Sequence, residues 1–383
     1  ASMIHNEMRK HGIKLVLGYT VEGFKGKDNG VEVLLKDNPS LQADMVVLAI
    51  GVTPDTVLAK EAGLELGIKE SIVVNDRMET SVPDIYAAGD AVQVKHYVTG
   101  NDALISLAGP ANKQGRIIAD NICGGDSRYL GSQGSSVIKV FDMTAATTGI
   151  NETNAKKSGL EVDTVILSPM SHAGYYPGGK VMTMKVIFEK ESYRLLGAQI
   201  IGYEGVDKRI DVLATAIHAG LKATQLKDLD LAYAPPYSSA KDPVNMAGFM
   251  IDNIAKGTLK QWHLEDMDKI SRDKSVVLLD VRTVGEFNRG HMDGFKNIPV
   301  DELRERINEI EKGKPVYLIC QSGLRSYIAS RILEGNGYET YNFSGGFRFY
   351  DAVVNDRALI EKAYACGMDY YCLLYTSPSP RDT

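Results

Sequence analysis

The sequence predicts a protein of several domains that combines α/β and α+β architecture. Its 383 residues suffice for two or three domains at roughly 150 residues each. After Gly257, short apolar segments alternate with segments of helical spacing, which favours a parallel sheet covered by helices. Before that point, β-rich segments joined by turn residues favour antiparallel strands with helices packed against them. One uniform architecture cannot satisfy both patterns, so we expect separate domains.

Composition and charge exclude several classes of function. The net charge of −6 gives no general attraction for nucleic acid or anionic lipid. No apolar run approaches the roughly 20 residues that span a bilayer, and the start of the chain has no secretory signal. Four cysteines in so long a chain do not indicate a disulfide framework, so we expect a reducing, cytoplasmic location. No metal site is predicted, because C-x-x-C and H-E-x-x-H are absent and the seven histidines are scattered.

Short strands between two helices are expected in the first 130 residues or so. The opening residues have helical character, and the turn sequence KDNG joins two β-rich segments into a hairpin. The apolar run 43–50 predicts a buried strand, and 71–91 predicts two short strands. Residues 110–122 predict a helix, because Pro stands at its start and apolar residues recur at helical spacing.

A glycine and an aspartate end the second of these short strands. Gly89 permits close approach of the backbone, and the carboxylate of Asp90 can accept hydrogen bonds from a sugar-like polyol. A turn or a helix cap is the alternative interpretation of this pair, and the pair alone leaves both open. Gly109 and Pro110 open the later helix, whose positive N-terminal end suits an anionic partner.

Three segments of this region resemble the pyridine nucleotide-disulfide oxidoreductases in order and spacing: AIGVTPDT, VPDIYAAGDA and SLAGPANKQGRIIADNI. The resemblance implies remnants of Rossmann-like domains, with the end of an NAD(P)-binding domain at 1–52 and the last part of an FAD-binding domain at 53–132. It implies that Asp90 binds the ribityl chain of FAD and that the helix beginning near Pro110 points at the flavin ring. The implied cofactor-binding residues are Gly89, Asp90, Ala91, Gly109, Pro110 and Ala111.

Two features of that family are missing from the sequence. No G-x-G-x-x-G fingerprint occurs, although the family has one for FAD and another for NAD(P)H. The redox-active cysteine of the family's N-terminal segment is also absent. We therefore expect the C-terminal portion of a longer enzyme, with only a partial flavin site. Residues 371–383 depart abruptly in composition, and we predict a non-native or disordered tail without function.

Tyrosine-rich loops mark the next region, predicted as an α+β dimerisation domain at 133–256. SHAGYYPGGK and LAYAPPYSSAKDPVNMAG resemble the dimerisation domain of the coenzyme A-disulfide reductases and NADH oxidases. The resemblance implies a homodimer in which Tyr175 and Tyr233 reach the partner subunit's redox site, with Tyr176 and Tyr237 as alternatives. A phenol can hydrogen-bond a departing thiolate. Aromatic packing within loops is the alternative role.

A cysteine loop follows a predicted buried strand near the end of the chain. The segment KPVYLIC delivers Cys320 to the C-terminal edge of this strand, and QSGLRS then turns into a helix. Successive backbone N–H groups at such a turn form an anion-binding nest that stabilises a thiolate. The remaining residues of this persulfide loop are Gln321, Ser322, Gly323, Leu324, Arg325 and Ser326.

Loop length separates two possible functions of this cysteine. Arg325 follows Cys320 by five positions, one fewer than in the C-x-x-x-x-x-R loop of cysteine phosphatases. The smaller ring suits a persulfide sulfur better than a phosphate, and Gly323 is expected at a backbone angle that other residues resist. An inert buried thiol is the alternative interpretation.

The flanks of the loop resemble a single rhodanese (sulfurtransferase) domain over 262–362. They comprise LLDVRTVGEFNRGHMDGFKNIP before the loop and YNFSGGF after it. The resemblance implies an α/β domain with a parallel sheet, in which Cys320 and Arg325 are catalytic. Its other pattern positions are Asp280, Arg282, Glu286, His291 and Asn297. Cys123 is expected to pack rather than react, and Cys366 and Cys372 lie beside or within the tail.

The order of these regions resembles the coenzyme A-disulfide reductases fused to a rhodanese domain, also described as persulfide or polysulfide reductases. The resemblance implies that electrons pass from NAD(P)H through FAD, that coenzyme A is a substrate or ligand, and that Cys320 relays sulfane sulfur. Two alternatives stay open: only the sulfurtransferase is active in this chain, or the parent is an NADH oxidase. A non-catalytic rhodanese-like module is disfavoured by the intact loop. The expected partners are small thiols, disulfides and persulfides, not nucleic acid or membranes.

Overall fold

The computed structural model describes residues 1–363, without the side chains of 361–363. The predicted tail at 371–383, Cys366 and Cys372 lie outside the described residues. Within the described residues, the chain divides into two compact units, one formed by 1–132 with 356–363 and the other by 133–355. Among the described helices, none combines the length and apolar character that crossing a membrane requires.

The first unit begins with a helix and a small antiparallel sheet. Helix α1 (Ser2–Lys10) precedes strands β1 (Val21–Lys27), β2 (Gly30–Leu35) and β3 (Asn38–Ala43), which pair in that order. The KDNG hairpin has the expected form, since Lys27 stands opposite Gly30 across the turn.

The apolar run after this sheet is not the buried strand that we expected. Residues 45–49 form no ladder, and Met45, Val47 and Ile50 are 76%, 76% and 87% exposed. A strand of a parallel sheet is fixed by its neighbours, which supply both the hydrogen bonds and the cover for its side chains. No strand in the part of the chain that the structure describes pairs with this run.

The rest of the first unit surrounds a small apolar core. Its elements are α2 (Val57–Glu61), β4 (Ile72–Val73), β5 (Val92–Lys95), β6 (Asp102–Ala103) and α3 (Ala108–Ile122). Met78, Val92 and Val94 form the buried core. The second short strand that we placed before Asp90 is absent; a 3₁₀ turn at Gly89–Ala91 leads directly into β5 instead.

The first half of the second unit is an antiparallel sheet with three helices. Its elements are β7 (Ser136–Val140), β8 (Met143–Gly149), α4 (Glu152–Lys157), β9 (Val162–Leu167), β10 (Thr183–Glu189), β11 (Leu195–Gly202), α5 (Val206–His218) and α6 (Pro243–Ala255). The strand order is β7-β8-β11-β10-β9, and α5 packs on β8 and β11. Sequence analysis missed β8, because its small residues (MTAATTG) give little apolar alternation.

The second half of this unit is a parallel sheet covered by helices. Its elements are β12 (Gln261–Trp262), α7 (Met267–Ile270), β13 (Val277–Asp280), α8 (Val284–Arg289), β14 (Lys296–Asn297), β15 (Val316–Ile319), α9 (Leu324–Glu334), β16 (Thr340–Phe343) and α10 (Gly346–Ala363). The order β12-β16-β15-β13-β14, with the pairs parallel, confirms the predicted fold class. Residues 301–313 form a series of turns with a 3₁₀ segment at Ile307–Glu309, not one of the helices that the alternating pattern after Gly257 favours.

A hydrogen-bonded contact joins the two halves of the second unit, and we call it the β9 joint. The buried Ile166 N–H donates to Ser344 Oγ at 3.0 Å. Gln261 Nε2 donates to Thr164 O at 2.8 Å, and His263 Nε2 lies 3.4 Å from Asp163 Oδ1. The joint therefore ties edge strand β9 of the antiparallel sheet to the parallel sheet.

Candidate active site

Strand β15 places Cys320 at the carboxyl edge of the parallel sheet. Its apolar residues pack inside the sheet, and Cys320 itself has 0% exposure. Neighbouring strand β13 runs parallel to β15, so its end at Asp280 lies at the same edge. Because loops after parallel strands converge at that edge, the residues following both strands build one site.

Two hydrogen-bond donors contact the sulfur of Cys320. The Gly323 N–H approaches Sγ at 3.1 Å, and the Ser326 hydroxyl approaches it at 3.2 Å. Gly323 adopts φ +100°, a conformation that other residues resist, and α9 begins immediately after it. A thiolate here faces a helix N-terminus and two hydrogen-bond donors, all of which stabilise negative charge.

Arg325 forms an ion pair beside the cysteine. Its two terminal nitrogens each donate to a different carboxylate oxygen of Glu286 at 2.7 Å. These hydrogen bonds from Arg325, with others from Thr283, lower the pKa of Glu286 to about 2. The hydrogen bonds to Glu286 raise the pKa of Arg325 above its usual value, and the charges of Glu286 and Cys320 act in the same direction.

A second arginine, Arg282, also contacts the cysteine loop. Arg282 is buried with Asp280, which accepts its Nη2 hydrogen bond at 2.7 Å. Arg282 Nη1 also reaches Gln321 Oε1 at 3.4 Å, and its guanidinium lies 3.8 Å from the centre of the Phe347 ring. Asn297 Nδ2 donates to the carbonyls of Asp280 and Arg282 at 2.9 Å each. Asp280, Arg282 and Asn297, which belong to the predicted pattern, thus stabilise the position of the cysteine loop.

The Gly-Gly pair that follows β16 lies against the backbone of the Cys320 loop. The Phe347 N–H donates to Cys320 O at 2.8 Å. A Cβ on Gly346, which has φ +68°, would lie 2.6 Å from Ser322 N and 2.7 Å from Gln321 O. Sequence analysis noted this Gly-Gly pair only as part of a resemblance and assigned it no role in the loop.

We expect Gly346→Ala to lower sulfur transfer by at least about tenfold and to destabilise the protein by about 2–4 kcal/mol, since the new methyl group meets backbone that cannot move away. Gly313→Ala is the matched control, because Gly313 also has positive φ, at +82°, but has open space around its Cβ direction. Urea unfolding and a thiocyanate assay measure the two effects. Equal losses in both variants would show that the contact with the loop has no importance.

The predicted tyrosines come together in the first half of the same unit. The Tyr175 and Tyr233 hydroxyls are 2.7 Å apart, and both side chains are exposed. This hydrogen bond raises the pKa of Tyr233 above its usual value. Tyr233 also lines a cleft of about 670 Å³ together with Tyr176 and Tyr237.

A buried arginine, which sequence analysis did not single out, fastens the loops of this cleft. Arg209 Nη2 donates to Ser171 O at 2.9 Å, to Tyr237 O at 3.3 Å and to Asp242 Oδ2 at 2.9 Å. The side chains of Arg209 and Asp242 are 2% and 3% exposed. The pair therefore positions both tyrosine-bearing loops, and only the positive charge of Arg209 within a helical pattern marked it in the sequence.

The flavin-related residues also lie together, within the first unit. Gly89 has φ +85°, and its N–H donates to Gln114 Oε1 in α3 at 2.8 Å. This bond places the Gly89–Ala91 turn against the helix that carries Gly109, Pro110 and Ala111. Asp90 is exposed, and no side chain caps the first turn of α3. An exposed carboxylate beside an uncapped helix N-terminus fits a ligand with both hydroxyl groups and an electron-rich ring.

The other candidate residues have minor roles. His291 Nδ1 is 3.1 Å from Phe287 O, and its ring stacks on Phe287. Leu324 is exposed at the tip of the loop, whereas Ser326 is buried beneath it. Cys123 is exposed at the end of α3, not packed as we expected. The described residues contain no cluster of histidine, cysteine and carboxylate side chains that could hold a metal ion.

The Glu286–Arg325 pair makes stability depend on pH. Because the folded pKa of Glu286 is lowered to about 2, its contribution is complete above the unfolded pKa near 4.3 and is lost as pH falls toward 2. We expect the pair to contribute about 1 kcal/mol, since both side chains are partly exposed. Glu286→Gln should therefore reduce the fall in unfolding free energy between pH 5 and pH 2. An unchanged slope in urea titrations would contradict this.

The fold and site define a multidomain protein with a cysteine loop at the edge of a parallel sheet and a tyrosine-lined antiparallel domain. Comparison with known families agrees in each region. Residues 1–115 match the pyridine nucleotide-disulphide oxidoreductases, residues 135–243 match the dimerisation domain of the same family, and residues 263–352 match rhodanese-like domains. The chain belongs to the pyridine nucleotide-disulphide oxidoreductase family and carries a rhodanese-like domain, as the resemblance implied.

Three individual proteins show which members of these families the chain is similar to. An NAD(P)H sulfur oxidoreductase (CoA-dependent) from Pyrococcus abyssi is 36% identical over 242 residues, which are 63% of this chain and 54% of that protein. The structure of reduced Bacillus anthracis CoADR-RHD is 46% identical with TM-score 0.89, over 93% of this chain and 64% of that one. A NAD-dependent persulfide reductase from A. fulgidus is 40% identical with TM-score 0.84, over 91% and 64% respectively. The chain thus spans about half the length of the Pyrococcus abyssi relative.

Proposed function

We propose that this chain is part of an NAD(P)H-dependent flavoprotein that reduces oxidised sulfur compounds of coenzyme A, and that Cys320 carries sulfane sulfur for it. The observation that carries the proposal is the pair of hydrogen-bond donors, Gly323 N–H and Ser326 Oγ, that contact the Cys320 sulfur within a domain of rhodanese type. The names of the relatives, which concern sulfur, coenzyme A and persulfide, support the substrate class.

At the cysteine loop, the proposed chemistry is sulfur transfer through a persulfide. The Cys320 thiolate attacks the outer sulfur of a donor, the sulfur–sulfur bond of the donor breaks, and the donor leaves as a thiolate. Gly323 N–H and the Ser326 hydroxyl stabilise the charge on sulfur before and after transfer. Because Cys320 is fully buried, the loop around Leu324 must part before a donor reaches the sulfur.

We propose that the tyrosine hydroxyls at the cleft stabilise the negative charge of a departing thiolate. The Tyr175 and Tyr233 hydroxyls already share a hydrogen bond, so one of them can donate to an approaching sulfur while the other supports it. We propose that the cleft acts within a homodimer, which is supported by the match of 135–243 to a dimerisation domain. Edge strand β7 leaves apolar surface exposed at Val137 and Ile138, and Phe141 in the turn after it is also exposed.

FAD, where bound, would accept electrons from NAD(P)H and pass them to a disulfide. In this chain, Asp90 would hold its polyol chain, and the first turn of α3 would face its ring. We expect Asp90→Ala to weaken FAD binding about tenfold, by loss of a charged hydrogen-bond acceptor. Flavin fluorescence quenching measures the affinity, and Asp102→Ala, another exposed aspartate of this unit, is the control.

The test of the proposed function uses the purified chain. We expect thiocyanate to form when a persulfide and cyanide are supplied. Because the sequence lacks the redox-active cysteine and both G-x-G-x-x-G fingerprints, we expect no NADH-dependent reduction of coenzyme A disulfide by this chain alone. Sulfur transfer without any flavin binding would restrict the function to the sulfurtransferase. Absence of sulfur transfer with every donor would remove Cys320 from the proposal.

A further inference from the structure

The charges around the Cys320 loop indicate which sulfur donors it accepts. Two guanidinium groups contact the loop or belong to it, those of Arg325 and Arg282. Glu286 forms an ion pair with Arg325, and Asp280 forms an ion pair with Arg282. Each arginine therefore forms a neutral pair with its carboxylate, and neither adds an uncompensated positive charge.

The pairing of Arg325 uses the part of its guanidinium that would otherwise bind an anion. Both terminal nitrogens donate to the two oxygens of Glu286, in the bidentate geometry that arginine also uses for phosphate and sulfate-like groups. Arg348 is also near, since its backbone N–H reaches Gln321 O at 3.2 Å. Its residue is exposed, so water and salt screen its charge.

Two exposed apolar side chains lie close in the chain to the residues of this ion pair. Leu324, the residue at the tip of the loop, is 65% exposed. Val284, two positions before Glu286, is 53% exposed. Exposed apolar side chains at the mouth of the loop favour contact with the carbon chain of a thiol rather than with a small hydrated anion.

On the basis of the sulfurtransferase function proposed above, we propose that Glu286 determines donor specificity. By neutralising Arg325 it makes the loop accept sulfane sulfur from organic persulfides in preference to the thiosulfate dianion. Glu286 acts through Arg325 and does not take part in bond formation. Neither the loop motif nor its spacing indicates this discrimination, because it arises from a contact between residues 39 positions apart.

The two reactions differ in the charge that approaches the sulfur. With an organic persulfide, the Cys320 thiolate attacks the outer sulfur, a new sulfur–sulfur bond forms, the old one breaks, and a thiolate leaves with the electron pair. The single negative charge that Cys320 brings is carried away by the leaving group. With thiosulfate, a dianion must approach the thiolate and sulfite dianion must leave. With both arginines paired, no free side-chain cation offsets that repulsion, and only the helix N-terminus and the donors Gly323 N–H and Ser326 Oγ oppose it.

The test measures how fast Cys320 gains one sulfur atom, by intact-protein mass spectrometry, after mixing the full chain with thiosulfate or with 2-hydroxyethyl persulfide. We expect the persulfide to load Cys320 at least about tenfold faster than thiosulfate at equal concentration. Glu286→Gln should raise the thiosulfate rate about tenfold, since it frees one positive charge, and should change the persulfide rate by less than about threefold.

Glu309→Gln is the matched control for this substitution. Glu309 also forms a two-pronged pair with an arginine, Arg306, and its pKa is also lowered to about 2, but the pair lies in the 3₁₀ segment away from the loop. We expect this variant to keep the donor preference of the original chain. Equal donor ratios in the Glu286→Gln and Glu309→Gln variants would overturn the proposal.

A second measurement needs no substitution. In a neutral loop, added salt should leave thiosulfate loading unchanged or raise it, because salt screens the repulsion between dianion and thiolate. A rate that falls steeply with salt would indicate attraction by a free cation and would overturn the proposal, as would thiosulfate loading that equals or exceeds persulfide loading. Failure of both donors to load Cys320 would instead overturn the sulfurtransferase function on which the proposal rests.

Discussion

We expect Cys320→Ser to lower sulfur transfer by roughly a thousandfold or more, because the substitution removes the nucleophile itself. A serine hydroxyl does not ionise near neutral pH and cannot carry a sulfane sulfur. The fold should survive, since serine is similar in size and can accept the hydrogen bonds that Gly323 and Ser326 now donate to Sγ. Thiocyanate formation from 2-hydroxyethyl persulfide and cyanide measures the loss.

Cys123→Ser is the control for this loss, because Cys123 is the other described cysteine and is exposed. We expect it to leave transfer unchanged. If Cys320→Ser kept the activity while Cys123→Ser removed it, the sulfur would be carried at the end of α3, and the loop would have a structural role only.

We expect Arg209→Met to destabilise the protein by about 3–5 kcal/mol, because it leaves the carboxylate of Asp242 buried without its cation. Asp242 is 3% exposed as a side chain, so water cannot replace the lost partner. The substitution also removes the donor to Ser171 O and Tyr237 O, which carry the loops of the tyrosine cleft. The midpoint of urea unfolding measures this change.

Arg306→Met provides the comparison. Arg306 is also ion-paired, with Glu302 and Glu309, but it is 34% exposed and lies on the surface. Its loss should shift the unfolding midpoint far less, because solvent screens an exposed ion pair. Similar losses for the two substitutions would mean that the burial of the Arg209–Asp242 pair has no energetic importance.

The parallel-sheet half of the second unit could be predicted in detail from the sequence. Strand β15, the glycine turn and α9 are adjacent in the chain, so apolar pattern, backbone preference and helix start all favour the same local structure. The position of Cys320 at a strand end follows from this local order. The predicted left-handed backbone at Gly323 is also confirmed.

Contacts between distant residues could not be predicted in the same way. Glu286 and Arg325 are 39 positions apart, and Arg209 and Asp242 are 33 apart, so neither pair has a signature in spacing. The error at the apolar run 43–50 has a related cause. Periodicity and composition indicate that a segment can be a strand, but pairing depends on neighbours supplied by other parts of a sheet.

The β9 joint affects how sulfane sulfur could pass between the Cys320 loop and the tyrosine cleft. Ser344, which binds the Ile166 N–H, stands two residues before Gly346, the glycine that supports the Cys320 loop. Turning the parallel sheet away from the antiparallel one would break this buried bond and those of Gln261. We therefore expect Cys320 to keep its position relative to the tyrosine cleft. The proposed transfer of sulfur between the two places would then depend on diffusion of a small carrier molecule.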